Sequence, residues 1–177
     1  MYIKNGIRYL EEDDFYPGKH EHCEETSVET KSGKFTFHPE TSVGLRAAKE
    51  FCERKGEILA PIATKEDLDQ LRNYAGGCTN LGGLRSYLVG LDLVDEKSRY
   101  FTDGRVYKES EHGSLYQVFR PGGKDQKIPK GSCFNTVFSA DPQLPEPMFI
   151  YPNPTCWDRH YHLICLKPAA GLNPQCA

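Results

Sequence analysis

Seven cysteines, spread along a chain of 177 residues, constrain the fold of this protein more than any other feature of its sequence. No two of them form a Cys-x-x-Cys pair, so neither a zinc ribbon nor a thioredoxin-type redox centre is predicted. Dispersed cysteines in a chain with 16 glycines and 12 prolines favour an extracellular fold that is stapled by disulfides. Because the number is odd, one thiol is free or pairs outside the chain.

The last two cysteines before the C-terminal tail, Cys156 and Cys165, are separated only by the segment WDRHYHLI. They could bond to each other, bind a metal together, or each close a different part of the chain. A bond between them would span only a local hairpin. Bonds to distant cysteines would remove more conformational entropy from the unfolded chain.

The composition predicts one soluble globular domain, with 38% apolar and 27% charged residues. The formal net charge of −3 gives no general attraction to nucleic acid. The apolar stretches are far shorter than a bilayer-spanning helix requires, so we expect no membrane insertion of this segment. The charge pattern predicts an acidic N-terminal extension over 1–33, and we expect a folded domain over 34–168 and a C-terminal tail over 169–177.

Apolar spacing predicts two helices early in the folded domain. The first is expected to begin with Ser42 as its N-cap and to stop at Gly56. The second is expected to begin at Thr64, with Asp67 in the capping-box position, and to end at Gly76 and the glycine after it.

Short strands are predicted between and after these helices. Apolar alternation or continuous apolar residues indicate strands in KFTFH, EILAPI, YLVGL, CFNTVFS and RHYHLICL, and Asp103-Gly104 is typical of a hairpin turn. The proline-rich segment DPQLPEPMFIYPNP is expected to be irregular, and residues 109–131 are expected to form loops. Early helices, late short strands and long loops together predict an α+β fold.

Five segments between Phe35 and Lys167 resemble the C-type lectin-like domain family in order and approximate spacing: AAKEFCERKGEILAPI, YLVGL, YFTDG, CFNTVF and CWDRHYHLIC. The sequence departs from the family at Leu45 and Tyr87, where tryptophan is frequent. The resemblance implies a C-type lectin-like fold. In that fold two helices pack on short antiparallel sheets with a long loop region, and disulfides staple the structure.

The resemblance also implies which cysteines pair. Cys165 is expected to bond to Cys52 and to tie the last strand to the first helix. Cys156 is expected to bond to Cys133 and to clamp the long loop region. The other three cysteines are expected to form one bond, with two pairings open: Cys23–Cys78 or Cys23–Cys176.

Calcium-dependent sugar binding in this family uses a Glu-Pro-Asn or Gln-Pro-Asp triplet in the long loop. It also uses an acidic residue before the cysteine that follows the loop, and a later Trp-Asn-Asp triplet. The corresponding residues here are Gly123-Lys124-Asp125, Ser132 and Tyr151-Pro152-Asn153. Only Asp125 and Asn153 keep a carboxylate or amide oxygen, whereas calcium takes six to eight oxygen ligands. We therefore expect no cofactor and binding without calcium.

The long loop carries more positive than negative charge: Arg120, Lys124, Lys127 and Lys130 against Asp125. This charge is typical of a solvated loop, or of a surface for an acidic protein partner or an anionic glycan. The aromatic residues near the loop are interpreted as core rather than contact residues: Tyr107, Tyr116 and Phe119.

Two groups of histidines have metal-ligand spacing, namely His20 and His22 beside Cys23, and His160 with His162. Exposed histidines and a disulfide cysteine are the simpler interpretation of both groups. The sequence contains no nucleophile elbow, phosphate loop or dinucleotide fingerprint, so an enzyme is not predicted.

These observations predict an extracellular recognition or adhesion module that binds an extracellular or cell-surface protein through its long-loop face. The first alternative is a sugar-binding lectin with a non-standard or calcium-dependent site. The second is a metal-binding protein or an enzyme. The candidate ligand-binding residues are Arg120, Lys124, Asp125, Lys127, Lys130 and Asn153.

Overall fold

A computed structural model describes residues 2–4, 7–9, 25–78, 81, 85–93, 99–116, 133–138, 150–153 and 159–169. Within these ranges the elements, in chain order, are β1 (Tyr2–Lys4), β2 (Ile7–Tyr9), β3 (Ser27–Thr30), β4 (Gly33–Val43), α1 (Leu45–Arg54), β5 (Ile58–Leu59), α2 (Lys65–Gly76), β6 (Ser86–Val89), β7 (Leu91–Leu93), β8 (Arg99–Phe101), α3 (Glu109–His112), β9 (Cys133–Val137), β10 (Ile150–Asn153) and β11 (Tyr161–Pro168). The predicted α+β class is confirmed. No helix in the described ranges is long and apolar enough to cross a membrane.

The main sheet has the strand order β10-β9-β6-β11-β4-β3, with β5 paired to β11 beside this path. Neighbouring strands are antiparallel except β11 and β6, which run parallel. Two small antiparallel pairs, β1 with β2 and β7 with β8, are separate from this sheet. The last strand of the chain therefore lies in the middle of the sheet, next to one of the first.

Strand β11 is buried on both faces, which explains its continuous apolar sequence LICL. Leu163 and Cys165 lie in one hydrophobic cluster, which also contains Leu45 and Ala48 of α1. Ile164 and Leu166 lie in a second cluster, which also contains residues of α2 together with Leu115 and Tyr116. Because side chains alternate across a strand, one strand supplies the core on each face of the sheet.

The helix boundaries follow partly from local signals. Thr64 caps α2, since its side-chain oxygen accepts a hydrogen bond from the Asp67 backbone N–H at 3.1 Å. Gly56 follows the end of α1 with φ +73°, a conformation that favours glycine. Both predictions are confirmed. The prediction of Ser42 as the first cap is wrong: Gly44 occupies the N-cap position without a side-chain bond. The register pairs Val43 with Tyr161, so β4 keeps this segment extended up to α1.

Two predictions for the second half of the chain are corrected by the sheet. The segment CFNTVFS was expected to alternate, yet its residues from Cys133 to Thr136 are all buried, because Phe134 packs in one hydrophobic cluster and Cys133 in the other. The segment expected to be irregular contains β10, which pairs with β9. Pro152 is compatible with this strand because β10 lies at the end of the strand order, where a missing N–H is tolerated.

Two further segments gain structure beyond the sequence pattern. Strand β3 lies within the residues assigned to the N-terminal extension, and it pairs with β4 along the edge of the main sheet. Helix α3 forms one turn within the segment expected to be a loop. The predicted hairpin turn at Asp103-Gly104 is confirmed, with Gly104 at φ +91° and a bond from the Phe101 N–H to the Arg105 carbonyl.

The disulfide between Cys52 and Cys165 joins α1 to β11 across a sequence separation of 113 residues, as predicted. Cys78 and Cys133 are also disulfide-bonded. The pairing of Cys133 with Cys156, and the choice among Cys23, Cys78 and Cys176, stay predictions because Cys23, Cys156 and Cys176 lie outside the described residues.

Replacing the Cys52–Cys165 bond by Cys52→Ala and Cys165→Ala should lower the free energy of unfolding by about 4–5 kcal/mol, because the bond closes a long loop in the unfolded chain. Chemical denaturation of the oxidised double variant measures this loss. An unfolding free energy equal to that of the wild type would contradict a stabilising role for the bond.

Gly90, between β6 and β7, is the point where three segments cross at close range. Its N–H donates to the Ala60 carbonyl at 2.8 Å, and its carbonyl accepts from the Thr102 N–H at 2.9 Å. A Cβ atom at this position would overlap the Leu59 carbonyl oxygen and lie 2.6 Å from Thr102 Oγ1. Glycine is required at this position because neighbouring atoms leave no room for a Cβ atom, and not because of its backbone conformation, since its φ is not positive.

The variant Gly90→Ala should lose about 2–3 kcal/mol of stability, the upper part of the range for overpacking, because backbone must move to admit the methyl group. Gly56→Ala is the control, since no atom lies within 4 Å of a Cβ there. Only backbone strain acts at that site, and we expect a loss of about 1 kcal/mol. Thermal or urea denaturation compares the two variants, and equal losses would argue against the close crossing.

Candidate functional site

The end of the sheet where β6 and β10 stop and β9 begins is the candidate site. The register pairs Asn153 with Cys133, and Val89 with Phe134. Residues 117–132 reach the sheet at Cys133, so Asn153 lies next to the point where the predicted long loop rejoins the fold. The strand pairing fixes the position of the Asn153 backbone beside Cys133.

The other candidate ligand-binding residues lie outside the described residues: Arg120, Lys124, Asp125, Lys127 and Lys130. The same is true of Phe119 and of the His20, His22 and Cys23 group. Their roles stay predictions. What the structure describes is the pair of anchors from which the long loop starts and to which it returns.

The anchor before the loop is built on Tyr116. Its side chain is 1% exposed, and its hydroxyl donates to the Ile62 carbonyl at 2.7 Å. Its ring meets the ring of Phe134 edge-on, with centroids 5.5 Å apart. Burial raises the pKa of Tyr116 well above its ordinary value, so the hydroxyl stays protonated and keeps donating. Tyr116 is therefore a core residue, as predicted.

A second contact of this anchor reaches β10. The Ile150 N–H donates to the Leu115 carbonyl at 3.4 Å. Both Leu115 and Ile150 are buried. The segment that enters the long loop thus rests on β9 and on β10, the two strands that follow the loop in the sequence.

The ribbon formed by residues 99–108 packs beside this anchor and carries stacked cations. Arg99 lies over the ring of Tyr107 at 5.1 Å from its centroid, and Arg105 lies over Phe101 at 5.7 Å. Arg105 also forms an ion pair with Asp103 at 2.6 Å. Tyr107 is partly buried against the core, in agreement with its interpretation as a core residue.

Sequence reasoning missed His112, which lies between the ribbon and the anchor. The ring is buried, with 7% of the residue exposed. Its Nδ1 accepts a hydrogen bond from the Lys108 backbone N–H at 2.9 Å. It meets Phe101 edge-on at 5.0 Å between centroids and also contacts Tyr107. A histidine in a polar segment, EHGS, gives no periodic signal that would identify it as buried.

Two exposed apolar side chains were also missed, Tyr100 at 41% and Val106 at 50% exposure. They face each other across the ribbon through an isolated bridge. In the same small sheet, Asp92 lies opposite Tyr100 in the strand register. Its carboxylate forms a salt bridge with the Lys49 ammonium group of α1, with 2.5 Å between Oδ1 and Nζ. Alternation in the sequence RYFTDGRVY was a usable signal, since burying Phe101 turns Tyr100 outward.

The histidines at the start of β11 are separated by their environments. His160 is exposed, whereas His162 lies beside Tyr87 with ring centroids 5.9 Å apart. The Nδ1 atom of His162 is 3.0 Å from the Thr41 carbonyl oxygen. No group of three or more histidine, cysteine, aspartate or glutamate side chains with metal-site geometry occurs among the described residues.

Comparisons with known proteins identify the fold. No protein-family model matches the chain, and no curated protein matches its sequence. Solved structures do match. The C-type lectin domain of murine dendritic cell inhibitory receptor 2, in complex with N-glycan, is 16% identical with a TM-score of 0.60, covering 83% of this chain and 99% of that one.

Two further structures agree. The mouse scavenger receptor C-type lectin carbohydrate-recognition domain is 18% identical with a TM-score of 0.56, covering 82% of this chain and 96% of its own. The C-type carbohydrate-recognition domain of cow CD23, in the presence of an oligosaccharide, is 18% identical with a TM-score of 0.56, covering 85% and 98%. At this level of identity the likeness concerns the fold. With its two longer helices α1 and α2, its central last strand and its Cys52–Cys165 bond, the chain has a C-type lectin-like fold.

Proposed function

We propose that this domain is an extracellular recognition module that binds a protein ligand without calcium through its long-loop face. The long-loop face is defined as residues 117–132 together with the end of β10 at Asn153. The proposal is supported by the fold, by the disulfides and by the residues at this end of the sheet. Loops that are held by a rigid scaffold are where binding residues concentrate in proteins.

The observation that carries the proposal is the register that places Asn153 opposite Cys133, at the end of β10. The residues before it are Tyr151 and Pro152, neither of which has a carboxylate or an amide side chain. Calcium takes six to eight oxygen ligands, mostly from such groups. One amide at this strand end is a poor basis for a shared site of calcium and sugar.

The sequence of the loop supports the same conclusion. Where the family's first triplet would stand, Gly123 and Lys124 supply no oxygen ligand from a side chain, and Asp125 supplies a carboxylate. An ammonium group beside the site would repel a divalent cation. The net positive charge of the loop instead suits an acidic surface on a protein partner.

Millimolar calcium should leave the melting temperature of the domain unchanged. A ligand that binds only the folded state stabilises it by about 2.7 kcal/mol at a hundredfold excess over Kd, a gain that differential scanning calorimetry detects readily. The comparison is made against chelator at equal ionic strength, with magnesium as the control cation. A calcium-specific rise that Asp125→Ala abolishes would overturn the proposal and favour a calcium-dependent lectin.

Reversing the charge of the loop with Lys124→Glu and Lys127→Glu should slow association with an acidic partner by about tenfold at low salt, because long-range attraction accelerates encounter. The effect should fade as salt rises. Stability should change by less than about 0.5 kcal/mol, as for most surface substitutions. The partner is first identified by crosslinking the domain to a cell surface. Surface plasmon resonance with that purified partner then measures the association rate constant of each variant.

Lys31→Glu with Lys34→Glu is the matched control, since it makes the same change in net charge at the β3–β4 hairpin. Both lysines are exposed, and β4 lies four strand spacings, about 19 Å, from β10. The control should associate at a rate close to that of the wild type. Equal slowing of both double variants would mean that only net charge matters, and the loop would lose its assigned role.

A glycan ligand is the second candidate, favoured by two of the compared structures, which contain an N-glycan and an oligosaccharide. A glycan array probed with the domain, with calcium and with chelator, separates the two candidates. Binding of a neutral glycan that requires calcium would support the lectin. Binding of sulfated or sialylated glycans without calcium would keep the basic loop as the contact surface and change the class of partner.

A further inference from the structure

His112 occupies a position whose chemistry the proposed function does not use. It is the last residue of α3, the single turn that precedes the long loop. Its ring contacts the backbone at the start of α3 and the aromatic side chains of the ribbon. Its backbone carbonyl accepts hydrogen bonds from the segment that ends at Tyr116. The hydrogen bond at Nδ1 determines what this ring can do.

The geometry fixes the tautomer of the neutral ring. Nδ1 receives the Lys108 backbone N–H at 2.9 Å, so it must present a lone pair. The proton of the neutral imidazole is then on Nε2, which lies 3.8 Å from a carboxylate oxygen of Glu111. A protonated ring carries N–H groups at both nitrogens and cannot accept the Lys108 bond.

We propose that His112 is an acid-sensitive clamp, which holds the turn of residues 108–116 closed while its ring is neutral and releases it on protonation. The proposal goes beyond the proposed function and does not depend on the identity of the ligand. It concerns the stability of the anchor from which the long loop starts.

Protonation would break a bond and place a charge among buried rings. The Lys108 N–H would face another donor, so the bond at the start of α3 would be lost. The imidazolium would lie against the rings of Phe101 and Tyr107 in a site that is 7% exposed. Charges are costly to bury without close partners, so the ring gains free energy by moving towards water.

The ionisable groups around His112 come from each element that packs on it. On α3 and its cap these are Glu109, Glu111 and Lys108; on the ribbon they are Arg105 and Tyr107; at the anchor it is Tyr116. Glu111 attracts the imidazolium, but its side chain is 62% exposed, so water screens the attraction, and Glu109 is exposed as well and accepts a hydrogen bond from the Tyr107 hydroxyl. Arg105 and Lys108 repel a charged ring.

The balance of these effects favours the neutral form. Burial is the largest cause that lowers the pKa of His112 below its ordinary value of 6.5, and the positive charges of Arg105 and Lys108 add to the decrease. Once the turn opens, the ring is in water and its pKa returns towards 6.5. The closed turn is therefore fully favoured above pH 6.5, and it is weakened progressively as pH falls from 6.5 towards the lower pKa of the closed state.

Opening of the α3 turn would affect the start of the long loop through Leu115 and Tyr116. Leu115 accepts the Ile150 N–H from β10, and the Leu115 N–H itself donates to the His112 carbonyl at 2.9 Å. Tyr116 follows Leu115 and anchors the segment on Ile62 and Phe134. A released α3 turn thus loosens the start of the long loop while the main sheet stays intact.

Hydrogen exchange of the Lys108 amide tests the clamp, using the intact domain without ligand. Between pH 7.5 and pH 5 the protection factor, which corrects for the intrinsic pH dependence of exchange, should fall by up to about thirtyfold. This limit follows if only the open form is protonated, since a histidine of pKa 6.5 then favours opening by that factor at pH 5. The Ile150 amide should lose protection in parallel, and amides of β11 should not.

The variant His112→Asn removes the titration while keeping an acceptor, because the amide oxygen of asparagine lies close to the position of Nδ1. Its Lys108 protection should change by less than about twofold over the same range. His38→Asn is the control, since His38 is a partly buried histidine whose burial also lowers its pKa, and it packs on Phe51 of α1 away from the turn. That variant should keep the full pH response at Lys108.

The tautomer of His112 provides a measurement on the wild-type chain that needs no variant. Nitrogen NMR of the imidazole at pH 7.5 should show Nε2 protonated and Nδ1 unprotonated. A proton on Nδ1, or Lys108 protection that does not change between pH 7.5 and pH 5, overturns the proposal. So does an unchanged pH response in His112→Asn. None of these outcomes bears on the partner or on calcium, so this proposal and the proposed function fail independently.

Discussion

Burial of β11 on both faces is the constraint on which the rest of the fold depends. This strand pairs with β4 on one side and with β6 on the other, and its alternate side chains enter two separate hydrophobic clusters. Burying a single Leu or Ile side chain is worth about 1.5–3 kcal/mol, so the three leucine and isoleucine residues from Leu163 to Leu166 together contribute at least as much as the disulfide. The bond at Cys165 then fixes α1 to a strand that is already held in place.

The Gly90 crossing, the anchor at Tyr116 and the end of β10 all depend on this arrangement. Strand β6 is positioned by β11, and β9 is positioned by β6. The candidate site is at the end of β10, which is connected to β11 through β9 and β6. The position of the site is therefore fixed by the pairing of these strands. Any loop attached to such a scaffold has its two ends positioned by the core.

Local signals in the sequence were sufficient for the end of α1 and the start of α2, and insufficient for the start of α1, for α3 and for the sheet. Thr64 and Gly56 act on their own neighbours, and both were predictable from the residues beside them. Ser42 was misassigned because the strand that keeps it extended begins at Tyr161, far away in the sequence. The double burial of β9 and the pairing of β10 likewise depend on partners that no local window contains.

The candidate site divides in the same way. Asn153 could be selected from the family resemblance, because it matches a position in a motif, but its place at the end of a strand could not, since that segment was expected to be irregular. His112 could not, since its role comes from a backbone N–H four residues earlier and from aromatic rings that the fold brings to it. The charge available at this end of the sheet is also visible only in the structure, where Arg105 is already paired with Asp103.

The two anchors of the long loop allow the loop sequence to change while the rest of the domain keeps its structure. Tyr116 and Cys133 are held by core contacts, so the segment between them is closed by its surroundings whatever its length. The entropy of closing a flexible loop grows only with the logarithm of its length, and doubling the segment would cost about 0.6 kcal/mol. If residues 117–132 behave as such a loop, we expect insertions, deletions and replacements within them to change the stability of the domain little. A lineage that keeps Tyr116, Phe134 and Ile150 can exchange one binding specificity for another without first acquiring compensating stability.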